Sequence, residues 1–497
     1  MSRPISTKRD QLDDSALLQR VRPLGWDNPV PKARYDLVIL GGGPAGLAAV
    51  ETATRQGASV ALIERDRLGG VSLNTGSAPS KAMIRAGSLE IRRCDEPSCD
   101  LNLEAAQRFR AAMGRMRRIR TRISEYCSVE RLVADGVDVF FGDAKFAGVE
   151  ALCVDEVKIR FKRALIATGA NAAPSNIPGL DEVGYHTSRT IFDLDLLPER
   201  LVVIGGGPLG CELAQAFRRL GSHVTIIQSD PQFLPREERD AAQLLSESLD
   251  RDGVAIRLNT TVVGARVDRG AKVLDTENYD LKESIAADVV LLSIGRAGNI
   301  ENLGLAEAGI DTIADRIKID DYLRTSNRRV YAAGDVCMEH QFTNIADCTG
   351  RMATRNALSG KKNRCSRLTI PWCTFCDPEI ADIGMSAREA REASIPVQTF
   401  TVMMQDNDRA IIDGQDDGFV KIHVRAGTDQ ILGASIVASR ASEMINEIAV
   451  AMDAGMGMRD LANVLHVYPA QTEAIKRAAM DFLRTRPVLH PRPRRER

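Results

Sequence analysis

The 497-residue sequence lacks the features of several large protein classes. It has no apolar run long enough to span a bilayer, so we expect no membrane-spanning segment. Its 66 Lys and Arg nearly balance its 67 Asp and Glu, and a net charge of −1 gives no overall attraction to nucleic acid or to an anionic membrane. The ten cysteines are scattered without the spacing of a disulfide scaffold, and residues 1–20 lack a secretory pattern. We therefore expect a cytoplasmic protein in a reducing compartment.

The sequence does contain a dinucleotide-binding pattern near its start. The β-rich run 35–40 leads into a glycine motif at 41–46, and a second apolar run, 59–63, is followed by an acid. In such a βαβ unit the glycines permit a tight turn, a close approach to a pyrophosphate and close packing of helix on strand. The acid accepts hydrogen bonds from a ribose. The predicted contacts with a dinucleotide are made by Gly41, Gly43, Pro44, Ala45, Gly46 and Glu64.

A second copy of this unit occupies residues 201–228. Its glycines are Gly205, Gly207 and Gly210, and Gln228 stands where the first copy has an acid. Two units in one chain predict two dinucleotides, one held permanently and one that exchanges. The amide of Gln228 removes the carboxylate that NAD binding favours, and no arginine directly follows it to bind the 2′-phosphate of NADP. The choice between NAD and NADP therefore stays open.

Further motifs resemble those of the pyridine nucleotide–disulfide oxidoreductases, which include dihydrolipoamide dehydrogenase, glutathione reductase, mercuric reductase and soluble transhydrogenase. They are the glycine-containing segment 68–81 with its Pro-Ser-Lys ending, Ala-Thr-Gly at 167–169, and the stretches 330–335 and 342–346. The resemblance extends over about residues 35–479. It implies an α/β fold with two Rossmann-like domains, one for FAD and one for NAD(P), and a C-terminal α+β dimerisation domain. It also implies a homodimer in which the C-terminal segment completes the partner's active site.

The resemblance and the composition together divide the chain into six segments. The N-terminal arm carries four prolines and many charges, so we expect it to be extended, with Trp26 docked on the body, or to be a partly disordered leader. The expected segments are an N-terminal arm (1–34), the first part of the FAD domain (35–180), the NAD(P) domain (181–295), the second part of the FAD domain (296–367), the dimerisation domain (368–483) and a disordered basic tail (484–497).

In the family pattern two redox-active cysteines occupy the positions that Ser72 and Ser77 hold here. A serine can neither form a disulfide nor attack one. The resemblance further implies that Lys81 lies beside the flavin with Glu212 as its ion-pair partner, where positive charge favours hydride arrival. Tyr468 takes the position of the family's acid/base histidine, with Glu473 five residues later, and a phenol with a pKa near 10 is a poor base for a thiol. The catalytic candidates are Ser72, Ser77, Lys81, Glu212, Tyr468 and Glu473.

The resemblance also extends the set of cofactor contacts beyond the two glycine motifs. It implies that the Asp335 carboxylate accepts a hydrogen bond from the ribityl chain of the flavin, and that residues 342–346 begin a helix at its pyrimidine end. The additional residues expected at FAD or NAD(P)H are Gly70, Val71, Lys81, Thr168, Gly169, Gln228, Gly295, Arg296, Gly334, Asp335, Thr343 and Ala346.

These features predict an FAD-dependent NAD(P)H oxidoreductase that passes hydride to a small non-disulfide acceptor, such as a second nicotinamide, a quinone or a dye. One alternative is a mercuric reductase- or dihydrolipoamide dehydrogenase-type enzyme with other thiols, of which Cys94 and Cys99 are nearest in sequence. Another is a flavin-binding sensor that has lost catalysis. We interpret the C-x-x-C at 373–376 as structural rather than as a metal site, and the basic stretch 101–136 as a solvated helix face rather than a nucleic-acid surface.

Overall fold

The computed structural model describes residues 8–94, 104–360 and 362–485. Within these ranges the chain forms two compact units. The first comprises the chain up to Ser229 together with Gly253–Leu368, and the second comprises Asp230–Asp252 with the chain from Thr369 onward. The six segments expected from the sequence, with their five boundaries, stay predictions. Cys99 and nearly all of the predicted disordered tail lie outside the described residues.

Helices and strands alternate through most of the first unit, as expected for an α/β fold. The described helices are α1 (Lys8–Val21), α2 (Pro44–Thr54), α3 (Gly70–Asn74), α4 (Ser77–Cys94), α5 (Glu104–Ile123), α6 (Val129–Ala134), α7 (Leu180–Val183), α8 (Pro208–Leu220), α9 (Arg239–Arg251), α10 (Thr343–Ser359), α11 (Ala387–Glu392), α12 (Asp408–Asp413), α13 (Ala441–Asp453), α14 (Met458–Asn463) and α15 (Glu473–Arg484).

Short strands account for the sheets of both units. The described strands are β1 (Tyr35–Leu40), β2 (Val60–Glu64), β3 (Asp138–Phe141), β4 (Ala144–Phe146), β5 (Ala151–Val154), β6 (Val157–Ile166), β7 (Ala170–Ala172), β8 (Arg200–Ile204), β9 (His223–Ile227), β10 (Ala255–Arg257), β11 (Thr261–Asp268), β12 (Ala271–Asn278), β13 (Leu281–Ala287), β14 (Val289–Leu292), β15 (Arg296–Gly298), β16 (Thr312–Ile313), β17 (Arg316–Ile317), β18 (Val330–Ala332), β19 (Pro371–Thr374), β20 (Glu379–Gly384), β21 (Val397–Met403), β22 (Phe419–Arg425) and β23 (Ile431–Ala438).

The largest sheet brings the first glycine motif and the late flavin motif to one edge. Its order is β3-β2-β1-β6-β5-β4, and β18 also pairs with β6. The strands β1 and β2 are almost wholly buried, as is typical of parallel strands covered on both faces. Parallel pairing aligns Leu40 with Ile63 and with Ile166, and Ile166 with Ala332. The residues that follow these strands therefore meet at the carboxyl edge, where ligands bind in such sheets.

The second glycine motif lies at the corresponding edge of a smaller parallel sheet in the same unit. That sheet has the order β10-β9-β8-β14, with Ile204 aligned to Ile227 and to Leu292. An antiparallel sheet, β11-β12-β13, follows β10 in sequence, and two-stranded pairs form between β7 and β15 and between β16 and β17. The turn after β8 is thus held between two neighbouring strands, as the turn after β1 is.

The second unit is built on an antiparallel sheet of order β19-β20-β23-β22-β21. Helices α13 and α15 cover the sheet and bury Ile448, Ile475 and Phe482 against it. Helix α9 belongs to this unit, where Ser248 Oγ donates a hydrogen bond to the main-chain oxygen of Asp377 at 2.7 Å. The unit therefore has the α+β character expected for the C-terminal domain.

The N-terminal segment differs from the expected extended arm, because Lys8–Val21 form helix α1. Leu17 and Val21, four residues apart, lie on one face and are buried, which gives the helix an apolar stripe. The docking of Trp26 is confirmed: its indole nitrogen donates to the main-chain oxygen of Val139 at 3.2 Å, and its ring meets Phe141 edge-on at 6.1 Å. Among the described residues, Pro23, Pro29 and Pro31 all follow the helix.

Helix α5 corrects the interpretation of the basic stretch. Its residues Arg110, Arg118 and Arg122 are exposed, as a solvated face requires. Arg120, in contrast, is only 5% exposed. The helix therefore presents a charged face to solvent and also buries one arginine, which the count of basic residues alone does not reveal.

The two free cysteines of the C-x-x-C motif, Cys373 and Cys376, differ in their surroundings. Cys373 is partly buried and its Sγ lies 3.5 Å from the main-chain oxygen of Thr374, whereas Cys376 is 2% exposed. Among the described residues no group of three or more His, Cys, Asp or Glu side chains is arranged to hold a metal ion. None of the described helices is both long and apolar enough to cross a membrane.

Candidate functional site

The two glycine turns have the same geometry. Gly41 and Gly205 both have φ of 104°, which favours glycine. A Cβ on Gly41 would lie 2.3 Å from the main-chain oxygen of Ala167, and a Cβ on Gly205 would lie 2.3 Å from that of Ser293. Each turn passes so close to the neighbouring strand that only glycine fits.

The third glycine of each motif brings the following helix onto its strand. A Cβ on Gly46 would lie 1.9 Å from the main-chain oxygen of Gly41, and a Cβ on Gly210 would lie 2.2 Å from that of Gly205. These distances are far below van der Waals contact, so a larger residue would push the helix away. Gly43 and Gly207 are the N-cap residues of α2 and α8, with proline at the start of each helix.

The space in front of these helix N-termini fits a phosphate group. A Cβ on Gly207 would meet no other described part of the chain within 4 Å, and one on Gly43 would meet only the Cα of Gly70, at 3.7 Å. Free N–H groups and the positive end of the helix dipole favour an anion at such a position. Gly70 packs directly against Gly43: a Cβ on Gly70 would lie 2.7 Å from the Cα of Gly43, so only glycine fits at this position. Val71 follows in α3, and its main-chain oxygen accepts from the N–H of Thr75 at 3.0 Å.

A side-chain oxygen at the end of each second strand accepts a hydrogen bond from the glycine turn of the same unit. Glu64 Oε2 accepts a hydrogen bond from the N–H of Gly42 at 2.7 Å, and Oε1 accepts from Asp66 at 2.7 Å. Burial raises the pKa of the Glu64 carboxyl, although both hydrogen bonds act in the opposite direction. In the second copy Gln228 Oε1 accepts from the N–H of Gly206 at 2.8 Å. The amide therefore replaces the carboxylate as acceptor for the turn.

The positions of the missing dithiol hold a cluster of hydroxyl groups. Thr343 Oγ1 donates to Ser72 Oγ at 3.2 Å and lies 3.2 Å from Ser77 Oγ. Ser72 lies in α3, Ser77 begins α4, and Thr343 begins α10. The side-chain amide of Asn74 donates to the main-chain oxygens of Leu68 and Gly70 and thereby holds α3, the short helix that contains Ser72. The hydroxyls of Ser72 and Ser77 therefore both lie within hydrogen-bonding distance of the Thr343 hydroxyl.

The predicted ion pair lies between helices α4 and α8. Lys81 Nζ donates to both carboxylate oxygens of Glu212, at 2.8 and 2.7 Å. The Glu212 side chain is 3% exposed and that of Lys81 is 34% exposed. Because Lys81 is four residues after Ser77 on the same helix, the two side chains lie on one face. The pair links the hydroxyl cluster to the helix of the second glycine motif.

Asp335 lies at the carboxyl edge of the large sheet and has an arginine partner. Arg296 Nη1 is 2.7 Å from Asp335 Oδ2, and the same guanidinium donates to the main-chain oxygen of Ala170 at 2.8 Å. Gly334 packs between the first turn and α10, since a Cβ on it would lie 3.2 Å from that of Ala45 and 3.3 Å from that of Ala346. The first glycine motif and the motif at 330–335, which together form the predicted flavin site, therefore lie in contact.

The loop at 167–169 is joined to the return strand by a residue that the motifs did not identify. Thr168 Oγ1 donates to the main-chain oxygen of Asn299 at 2.8 Å, and the Asn299 side chain donates back at 2.7 Å. The N–H of Asn299 donates to Gly169 at 2.9 Å. Gly295, at φ of 120°, accepts from the N–H of Ala173 at 3.0 Å. Asn299 has no sequence signal beyond its place shortly after Arg296.

The expected acid/base residues lie in the second unit. Tyr468 is 68% exposed, and its hydroxyl donates to Asp408 Oδ2 at 2.8 Å. This hydrogen bond raises the pKa of Tyr468 and keeps the phenol protonated. Glu473 Oε2 instead accepts from the main-chain N–H of Ala470 at 3.4 Å. The carboxylate partner of Tyr468 is thus Asp408, sixty residues away, rather than the expected Glu473.

A histidine–carboxylate contact occurs close to the tyrosine. His466 Nε2 lies 2.8 Å from Glu447 Oε1, and His466 Nδ1 lies 3.2 Å from the main-chain oxygen of Val464. The His466 side chain is 6% exposed. This histidine is two residues before Tyr468, so the sequence register excluded it from the acid/base position and gave no reason to place it beside Glu447.

Two dinucleotide-binding units followed by an α+β domain define the class of flavin- and nicotinamide-dependent oxidoreductases. Comparisons with known families agree with this class. Residues 35–358 match the family model described as pyridine nucleotide-disulphide oxidoreductase, and residues 370–479 match the dimerisation domain of the same family. The chain belongs to the pyridine nucleotide-disulphide oxidoreductase family, whose members depend on FAD and use NAD(P)H as electron donor. The predicted family and fold class are confirmed.

Relatives of known name cover nearly the whole chain. A mercuric reductase of Bacillus cereus is 33% identical over 450 residues, which are 90% of this chain and 71% of that protein. A dihydrolipoyl dehydrogenase of Haloferax volcanii is 30% identical over 90% of this chain and 96% of its own length.

Two solved structures have a similar fold. The HOCl-induced flavoprotein disulfide reductase RclA of Escherichia coli has a TM-score of 0.80 at 28% identity, over 90% of this chain and 99% of that one. LpdA of Mycobacterium tuberculosis has a TM-score of 0.82 at 28% identity, over 91% and 100%. The coarse class, an oxidoreductase of the flavoprotein disulfide reductase type, is therefore shown, together with a domain for self-association.

Proposed function

We propose that this protein is an FAD-dependent NAD(P)H oxidoreductase that passes hydride to a non-disulfide acceptor, such as a quinone, a dye or a second nicotinamide. The observation that carries the proposal is the hydroxyl cluster formed by Ser72, Ser77 and Thr343. Disulfide reductases need a thiolate as nucleophile. An alcohol cannot take that part, because it neither forms a disulfide nor accepts electrons from a reduced flavin.

The residues that would hold the two cofactors are all present in the first unit. The turn at Gly41, Glu64 and Asp335 would hold FAD, and the turn at Gly205 with Gln228 would hold the nicotinamide nucleotide. FAD held there would supply the redox chemistry, which is hydride transfer between NAD(P)H and the acceptor. Open space at both helix N-termini supports this assignment.

The chain's own contribution is electrostatic and positional. Lys81 keeps a positive charge one helical turn from Ser77, and the two hydrogen bonds that it donates to Glu212 fix the orientation of its ammonium group. Such a fixed charge stabilises negative charge that develops during hydride transfer. The hydroxyls of Ser72 and Ser77 are half-buried and Thr343 is exposed, so the cluster offers hydrogen bonds to an acceptor without a thiol. We further propose a homodimer whose C-terminal segment, with Tyr468, completes the partner's site.

Anaerobic titration of the FAD-loaded protein with NADH and with NADPH tests the proposal. We expect one or both nucleotides to bleach the flavin, and a quinone to restore its absorbance. Steady-state turnover with the quinone should be insensitive to arsenite, which blocks paired thiols. If neither nucleotide reduces the flavin, the proposed function is wrong.

The alternative with other thiols is tested in the same assay. Hg(II), lipoamide and oxidised glutathione should not stimulate NAD(P)H oxidation, although several relatives are mercuric reductases. The double variant C94S/C99S is the matched control, since it removes the two cysteines nearest in sequence to the cluster. Quinone turnover equal to that of the wild type supports the proposal, whereas arsenite-sensitive turnover that the double variant abolishes would favour a disulfide mechanism.

A further inference from the structure

The turn between Ser72 and Ser77 has a support that the family motifs do not include. Arg120 Nη1, from helix α5, donates a hydrogen bond to the main-chain oxygen of Asn74 at 3.0 Å. Asn74 lies between the two serines and ends α3. Its side chain is already engaged with the start of the same short helix. The Asn74 side chain thus holds the start of α3, and Arg120 holds the main chain at its end.

Arg120 is held in turn by the N-terminal helix. Its Nη2 lies 3.4 Å from Asp14 Oδ1 in α1, and Arg117 Nε lies 3.8 Å from Asp14 Oδ2. The Arg120 side chain is 6% exposed, and burial lowers the pKa of its guanidinium. Its Nε has no hydrogen-bond partner among the described residues. A buried guanidinium with an unsatisfied N–H costs stability, so packing alone does not account for arginine at this position.

Helix α1 also reaches the active-site segment through the main chain. The N–H of Leu68, the first residue of the segment 68–81, donates to the main-chain oxygen of Val21 at 3.0 Å. Arg20, near the end of α1, is 3.2 Å from Glu125 just beyond α5. Since the family match starts at residue 35, helix α1 lies outside the matched region. Helix α1 is therefore connected to the segment 68–81 in two ways: directly from Val21 to Leu68, and from Asp14 through Arg120 to Asn74.

We infer that Arg120, held by Asp14, is a positioning residue that fixes the Asn74 carbonyl and so keeps the hydroxyls of Ser72 and Ser77 in register with Thr343. Its kinetic consequence rests on the proposed function, whereas its structural consequence at the flavin does not. The N-terminal helix is then part of the site's support. Loss of the Arg120 hydrogen bond frees the turn, and the environment of the bound flavin changes with it.

The test compares R120M with R118M in full-length, FAD-loaded protein. Arg118 lies on the same helix but is exposed, so R118M removes an equal charge without touching the turn. For R120M we expect a changed visible circular dichroism of the flavin and a limiting rate of flavin reduction at least tenfold below that of R118M. The KM for the nicotinamide nucleotide should stay within twofold, because its predicted site is elsewhere. R120K, which keeps one donor for Asn74, should recover most of the rate.

The inference is overturned if R120M, folded and loaded with FAD, matches R118M in dichroism and within twofold in rate. If R120M fails to fold, D14N takes its place, since it leaves the Arg120–Asn74 hydrogen bond and removes the carboxylate charge that holds Arg120 and also lies 3.8 Å from Arg117 Nε. D14N should change the dichroism and lower the rate about threefold, as expected for a weakened charged hydrogen bond; an unchanged D14N refutes the inference. If wild-type flavin is not reduced by NAD(P)H, the proposed function fails, and the dichroism comparison still decides the role of Arg120.

Discussion

Replacement of Lys81 by methionine tests the electrostatics of the site, because it removes the charge and keeps the side-chain length. The Glu212 carboxylate, 3% exposed, then loses the cation that donates to both of its oxygens. Removal of one partner from a buried ion pair costs about 3–5 kcal/mol. Since 34% of the Lys81 side chain reaches solvent, we expect the lower end. A loss of about 3 kcal/mol corresponds to roughly a hundredfold change in the folding equilibrium.

The double variant K81M/E212Q separates stability from catalysis. With both charges removed, no carboxylate stays buried without its cation, so we expect at least half of the lost stability to return. The positive charge beside the hydroxyl cluster is still absent. The limiting rate of flavin reduction by NAD(P)H should therefore stay low in the double variant as in K81M.

Denaturant unfolding, followed by circular dichroism, and single-turnover flavin reduction provide the two measurements. The matched control is K162M, which breaks the exposed ion pair between Lys162 and Asp36, 2.7 Å apart. Such a surface pair contributes only about 0.2–1 kcal/mol. The electrostatic reasoning is refuted if K81M is as stable as K162M, or if K81M/E212Q is reduced at the wild-type rate.

Three further variants probe other parts of the molecule. The double variant S72C/S77C should gain a long-wavelength absorbance on reduction and become arsenite-sensitive; if it is folded and FAD-loaded but shows neither, the segment was misaligned with the family. Burial, with Glu237 nearby, raises the pKa of Asp382 well above its ordinary value, so the folded state loses stability as the pH rises through that pKa. D382N lacks this loss, so the difference in urea midpoint between D382N and the wild type should increase as the pH rises above about 4, the ordinary carboxyl range. A difference that does not depend on pH would contradict this prediction. R296M removes the partner of Asp335, and free-flavin fluorescence should show FAD loss about tenfold faster, as for a lost charged hydrogen bond; unchanged FAD retention would argue against a flavin role for this pair.

Local patterns were sufficient to predict the strand, turn and helix of each glycine motif. The run 35–40 is apolar throughout and the glycines follow at fixed spacing, so strand, turn and helix are determined by neighbours in the chain. The pair Lys81–Glu212 spans 131 positions, and only the family resemblance connected the two residues. Long-range side-chain contacts leave no periodic signal of their own, which is why the resemblance was needed.

The parts that the sequence did not predict depend on partners distant in the chain. In α1 the apolar stripe of Leu17 and Val21 is short, and prolines nearby suggested an extended arm. Arg120 follows the buried Met113 and Met116 at helical spacing, so its place on the inner face of α5 could have been found. Its contact with Asn74 could not, because it requires the tertiary arrangement. The same holds for Asp408, whose approach to Tyr468 has no signal in either segment.

Gln228 shows that the acid position of a dinucleotide motif has two separable roles. In the first copy Glu64 accepts from the turn N–H of Gly42 with one oxygen, and the same carboxylate is expected at the ribose. In the second copy the amide oxygen of Gln228 accepts from Gly206 at nearly the same distance, 2.8 against 2.7 Å. The glycine turn therefore keeps its hydrogen bond without a carboxylate. The two copies differ in charge, because a neutral amide does not repel a 2′-phosphate as a carboxylate would. At the ribose position predicted for Gln228 we therefore expect no electrostatic penalty on NADP.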